Sequence, residues 1–233
     1  MGGPEGRQWL DRLGLSAHLR ALPAQLPARR VEMDVAKDLH PAALAGEGDG
    51  GLPAREAIAA GIRTANEAIL AEARGRGKQM GSTIVVLLVP EQRFAVLWVG
   101  DSRAYVLRDG ELIQLSRDHT QVQEMVERGI LSAEDAVNHP MGHILSRAVG
   151  VQEEVKVDRV DGRVVPGDIF LLCSDGLHGY VEEREIRQLL ARGSPEKASE
   201  DLVERTLANG APDNVTVIAV WASEPTLLSL PDR

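Results

Sequence analysis

Three aspartates in this sequence share a placement that could do chemistry. Asp101 closes the apolar run RFAVLWVGDS, Asp175 closes DIFLLCSDG, and Asp213 opens DNVTVIAVWAS. Each carboxylate therefore stands where a strand should meet a turn, beside Gly, Ser or Asn. Mg²⁺ and Mn²⁺ are hard cations that take oxygen ligands and keep several waters. Carboxylates gathered at one place repel each other unless a cation lies between them. Ions held there would acidify water, and a pair would clamp a phosphoryl group. The competing reading of any single aspartate is turn chemistry, because Asp before Gly or Asn bonds its own backbone. Periodicity alone does not assemble the three into one site.

The elements that must position them are legible in the apolar spacing. Residues 5–22 place Trp9, Leu10, Leu13, Leu19 and Leu22 near helical spacing and predict a first amphipathic helix. Residues 23–53 are rich in Pro and Gly with little periodicity and read as a loop or mobile insertion. Residues 54–74 carry Ile58, Ile62, Ala65 and Ile69 on one stripe, a second helix. The period then changes. Residues 81–90, 93–102 and 104–116 read as strands, with Asp109-Gly110 as a two-residue hairpin turn. Short helices are expected at 121–129 and from a capping box at Ser132. Strands return in 153–176. Two helices closed by Gly follow at 183–193 and 195–210, then a last strand at 214–223. Strands and helices come in blocks, which favours antiparallel sheets covered by helices.

Six strings decide between the readings. MGST (80–83), VGDSRAYVLRDGELIQLSRDHT (99–120), HP (139–140), LSRAVG (145–150), GDIFLLCSDGL (167–177) and DNVTVI (213–218) occur in this order. In these strings the chain resembles the metal-dependent protein phosphatases, the type 2C serine/threonine phosphatases, in their bacterial form. The resemblance implies an α+β fold: two antiparallel β-sheets in a sandwich flanked by helices, as one domain over 1–223 with a tail at 224–233. It implies hydrolysis of phosphoserine and phosphothreonine in proteins by metal-activated water, without a phosphoenzyme. Asp175 is then a ligand shared between metals, and Asp213 a ligand of the main pair. Asp101 joins Asp175 at a third, weaker ion. The cofactor is Mn²⁺ or Mg²⁺, two to three ions in a complete member. Residues 120–144 correspond to a flap beside the active site, and His119, Thr120 and His139 are the candidates for substrate access there. The implied partner is a phosphorylated protein, with a Ser/Thr kinase among the targets.

The family pattern also contains Arg-x-x-Asn-Glu-Asp and Asp-Gly-Met-Gly-Gly strings on its first two strands. This sequence opens Met1-Gly2-Gly3, so Met1 is expected to match the methionine of the second string. On that reading the fold is N-terminally incomplete. The phosphate-binding arginine and the bridging aspartate lie outside the chain as given, and its activity is expected to be impaired. The alternative function is a non-catalytic phosphatase-like domain that binds a partner protein or phosphopeptide. Asp34, Asp38, Glu47 and Asp49 are expected to be solvated rather than substitute ligands.

Other features are bland. Cys173 is alone and lacks the Gly-rich, Arg-ended loop of a cysteine phosphatase, so it reads as core filler. It also excludes an internal disulfide and favours a reducing, cytoplasmic location. His139 and His143 have the spacing of a zinc pair, but Pro140 spoils helical geometry. Arg103 and Arg147 read first as structural ion pairs. The net charge of −9 argues against a nucleic-acid surface. No run of about 18 apolar residues predicts a membrane span.

Overall fold

The computed structural model describes residues 15–22, 52–90, 92–137 and 139–222. Asp34, Asp38, Glu47 and Asp49, with the rest of the 23–51 segment, lie outside the described residues, as do 1–14. The elements in chain order are β1 (Leu15–Leu22), α1 (Leu52–Arg76), β2 (Ile84–Leu88), β3 (Arg93–Val99), β4 (Arg103–Arg108) and β5 (Glu111–Gln114). Then come α2 (Gln121–Glu127), α3 (Ala133–Ala136), β6 (Asp158–Arg163), β7 (Ile169–Cys173), α4 (Asp175–His178), α5 (Glu183–Leu190), α6 (Pro195–Ala208) and β8 (Val215–Ala222). They form two antiparallel sheets with helices, an α+β protein. The chain divides into two compact units, each built around one sheet.

The first unit holds the five-stranded sheet, ordered β1-β8-β7-β4-β5. Its core follows from the period-two alternation of the strands. Tyr105, Leu107, Leu171, Cys173, Val215 and Val217 pack with Ile186, Leu190, Ala198, Leu202 and Val203 from α5 and α6. Both helices begin where sequence chemistry says they should. Ser194 accepts the Lys197 N–H as the N-cap of α6, and Pro195 occupies the first turn, where its missing N–H costs nothing. The hairpin turn between β4 and β5 is Asp109-Gly110, both with positive φ (51° and 78°). Cys173 is buried in this core, as filler should be.

Residues 15–22 correct the expected first helix. They form strand β1, which pairs antiparallel with β8 from Leu15↔Ala222 to Leu22↔Val215. Leu15, Ala17, Leu19 and Ala21 also alternate at period two, so the sequence fits either element. The backbone partners that β8 offers along its whole length favour the strand. Leu52 and Pro53, assigned above to the loop, belong to α1.

The second unit carries the three-stranded sheet β2-β3-β6. β2 runs antiparallel to β3, from Ile84↔Val99 to Leu88↔Ala95. The stripe predicted on α1 packs as expected: Ile58, Ile62, Ala65 and Ile69 cluster with Ala95, Leu97, Val99, Val149 and Val155. Residues 121–144 form a segment closed at its base, where Thr120 bridges Leu145 and Gln121 N–H reaches Ile144 O at 2.9 Å. Inside it lie α2, capped by Thr120, and α3, capped by Ser132.

Candidate metal-binding turns

In the first unit, β7 and β8 end side by side and hand two aspartates to adjoining turns. The ladder continues past β7 through Ser174, whose N–H donates to Thr216 O and whose Oγ accepts the Thr216 N–H, both at 3.1 Å. The next residues leave the sheet: Asp175 opens the single turn α4, and Asp213 precedes β8. The two turns touch at Gly176, where a Cβ would stand 2.2 Å from the Asn214 carbonyl oxygen. Only glycine allows that approach. Asp175 and Asp213 flank the contact, and both are exposed. Asp213 accepts the Asn214 N–H at 2.7 Å, which orients its carboxylate against the turn.

In the second unit a separate set of bonds holds Asp101. β3 ends at Val99, and Gly100 turns the chain with φ 110°, its Cα so close to Thr83 that a Cβ would lie 2.4 Å from the Thr83 methyl. Thr83 and Ser102 hydroxyls are 3.0 Å apart across the same turn. Asp101 itself is only 9% exposed. His119 grips the peptide of Gly100. Its Nδ1 accepts the Gly100 N–H at 3.0 Å, and its own N–H donates to Gly100 O at 2.9 Å. Since Nδ1 accepts, Nε2 carries the ring proton and donates to Asp158 Oδ2 at 3.0 Å. Arg147 pairs with the same carboxylate at 3.0 Å, and Trp98 stacks on the ring with centroids 6.1 Å apart.

Electrostatics fit that tautomer. Burial, assisted by the Arg147 charge, holds the His119 pKa below its ordinary value despite the Asp158 bond. Burial pushes Asp158 upward, but hydrogen bonds from Arg147 and His119 outweigh it and leave the carboxyl below the usual range. The ring is thus a neutral acceptor towards Gly100 near pH 7. Arg103 and Arg147 are structural ion pairs, as read from the sequence. Arg103 meets Asp118 with two nitrogens, and Arg147 also reaches Lys156 O at 3.1 Å.

The donor chemistry suits a hard cation. Asp101, Asp175 and Asp213 offer carboxylate oxygens, and the thiol of Cys173 is buried in the core. Two exposed carboxylates on adjoining turns match the way Mg²⁺ is commonly held, by one or two carboxylates with waters and phosphate oxygens. Among the described residues no three His, Cys, Asp or Glu side chains form a ready cluster. The turns that carry Asp175 and Asp213 touch, while Asp101 lies in the other unit.

The three flap candidates differ in placement. His119 and Thr120 are buried, at 6% and 5% exposure, and serve the scaffold as clamp and helix cap. His139 is half-buried and its Nδ1 accepts the Met141 N–H at 3.2 Å in a local turn. The sequence reading missed Thr83 and Asp158 altogether. Nothing in the spacing links Thr83, Gly100, His119 and Asp158. The Ser82–Val149 and Thr120–Leu145 bridges and the His119–Gly100 bonds bring the MGST, GDS, DHT and LSRAVG strings into one place. A cleft of about 450 Å³ in this unit is lined by Met80, Ser82, Thr83, Ser146 and Arg147.

The family described as Protein phosphatase 2C matches residues 24–209. The serine/threonine protein phosphatase PstP of Mycobacterium tuberculosis (strain H37Rv) is 37% identical over 162 residues, 68% of this chain and 31% of that protein. The serine/threonine phosphatase stp of Listeria monocytogenes (strain EGD-e) is 40% identical over 143 residues, 60% of this chain and 56% of that protein. The chain thus spans about a third of the first relative and about half of the second. A solved structure, the catalytic domain of PstP in complex with 2 manganese ions, superimposes with a TM-score of 0.72 at 30% identity, covering 90% of this chain and 99% of that one.

Proposed function

The chain belongs to the protein phosphatase 2C family, and from that premise we propose that it hydrolyses phosphoserine and phosphothreonine in proteins with the help of bound Mn²⁺ or Mg²⁺. The observation that carries this reading is the contact of the Asp175-Gly176 turn with the Asp213-Asn214 turn. It puts the two turns that carry these exposed aspartates in backbone contact at the strand ends. A pair of ions there supplies acidified water and charge stabilisation at the phosphoryl oxygens. Asp175 and Asp213 would hold the principal ions, and Asp101 a further, weaker one. The β7 and β8 ladder fixes the backbone from which both aspartates leave. The segment 121–144, tied at its base, would form one wall for the substrate, and His139 is its access residue.

The substrates are phosphorylated proteins, a Ser/Thr kinase among them, in the cytoplasm. No helix among the described residues is long and apolar enough to cross a membrane. Two carboxylates with waters hold such ions loosely, so turnover is expected to rise with Mn²⁺. The test is release of inorganic phosphate from a phosphothreonine peptide. Slow release that rises with Mn²⁺, disappears with EDTA and falls at least about 100-fold in Asp175→Asn supports the reading. Metal-independent release would refute it. Peptide binding without any release would favour the non-catalytic phosphopeptide-binding domain instead.

A further inference from the structure

Resting on the assignment of Asp101 to an ion, we propose that His119 is a positioning residue for that carboxylate, clamping the Gly100 peptide from both sides and so fixing where Asp101 stands. Gly100 is the last residue before Asp101 and stands one step past the end of β3 with a left-handed φ of 110°. His119 bonds it twice: the ring Nδ1 accepts the Gly100 N–H, and the backbone N–H of His119 donates to the Gly100 carbonyl. The ring can accept from Gly100 in only one tautomer and one orientation. Asp158 fixes the tautomer by accepting from Nε2, Arg147 holds Asp158, and Trp98 covers the ring face. At 6% exposure the imidazole is spent on the scaffold and is not a group that meets substrate. A carboxylate–histidine pair that acts through a backbone turn is an outer partner of the ion, and loss of such partners costs about 10–100-fold in affinity or activity.

The two nitrogens can be tested apart. An Asn amide reaches the position of Nδ1, whereas a Gln amide reaches that of Nε2. His119→Asn therefore keeps the acceptor for Gly100, and His119→Gln keeps the bond to Asp158 but loses that acceptor. Mn²⁺ binding to the full chain is followed by the electron paramagnetic resonance of free Mn²⁺, beside Asp101→Asn as reference. The ring tautomer is read by long-range ¹H–¹⁵N NMR of the metal-free chain.

His119→Gln is expected to weaken the ion that Asp101→Asn weakens, by about 10-fold. The double variant should bind no worse than Asp101→Asn alone, because the two act on one site. His119→Asn should stay near the parent, and NMR should show the proton on Nε2. Unchanged binding in His119→Gln, equal losses in the Gln and Asn variants, or a proton on Nδ1 would each overturn the proposal. If Asp101→Asn itself leaves Mn²⁺ binding unchanged, the ion assignment fails and the positioning role fails with it. In that case the Nε2 proton would still be seen, which separates the two failures. Should His119→Gln not fold, Asp158→Asn decides: it frees the tautomer, and a several-fold loss of Mn²⁺ affinity supports the clamp while no loss refutes it.

Discussion

At the scale of single residues, two backbones approach their neighbours so closely that side-chain identity is dictated by space. Gly100 faces Thr83 and Gly176 faces Asn214. Each glycine precedes or follows one of the candidate aspartates, although Gly150 against Ile69 is packed as tightly away from them. His119 adds a titratable element to the same region. Its folded pKa lies below the ordinary 6.5, with burial and Arg147 lowering it and Asp158 and Asp118 opposing. The unfolded chain therefore binds the proton more readily, and stability is fully present above pH 6.5 and is lost as pH falls below it towards the folded value. Thermal melts should show a lower Tm at pH 5.5 than at pH 7.5, by a smaller margin in His119→Asn. An equal drop in the parent and the variant would assign the effect to other groups.

At the scale of elements, α5 and α6 carry the first unit. Ile186 and Leu190 from α5 and Leu202 from α6 are all fully buried against β7 and β8, the strands that present Asp175 and Asp213. Truncating Leu202 to Ala should cost about 2–5 kcal/mol through lost transfer energy and the cavity left behind. Urea denaturation measures it, and the Mn²⁺ dependence of surviving folded protein should be unchanged. Strand β1 teaches the opposite lesson about elements. Its residues alternate well enough for a strand and cluster well enough for a helix, and a partner strand decides.

At the scale of the whole molecule, the chain shares its family with phosphatases whose solved relative holds two manganese ions. Binding to the folded state alone must raise stability. Mn²⁺ at a hundredfold excess over its dissociation constant should add about 2.7 kcal/mol per site, read as a higher Tm that EDTA reverses. An unchanged Tm at saturating Mn²⁺ would count against any site formed by folding. The net charge of −9 helps gather cations over the surface but does not choose where they sit.

The sequence by itself determined the family and the α+β class, and it singled out three aspartates as candidates, because those signals are local. Each aspartate ends or begins an apolar run, and α1, β2, β3, β7, β8, α5 and α6 show their own periods. Local spacing could not say that the Asp175 and Asp213 turns touch, that residues 15–22 pair with β8, or that His119 Nδ1 meets the Gly100 N–H. Those facts depend on atoms distant in the chain: the Asn214 carbonyl under Gly176, the β8 backbone beside β1, and Asp158 behind the imidazole. A hydrogen bond or a close approach between distant residues leaves no period in the sequence, so the tertiary structure alone decides it.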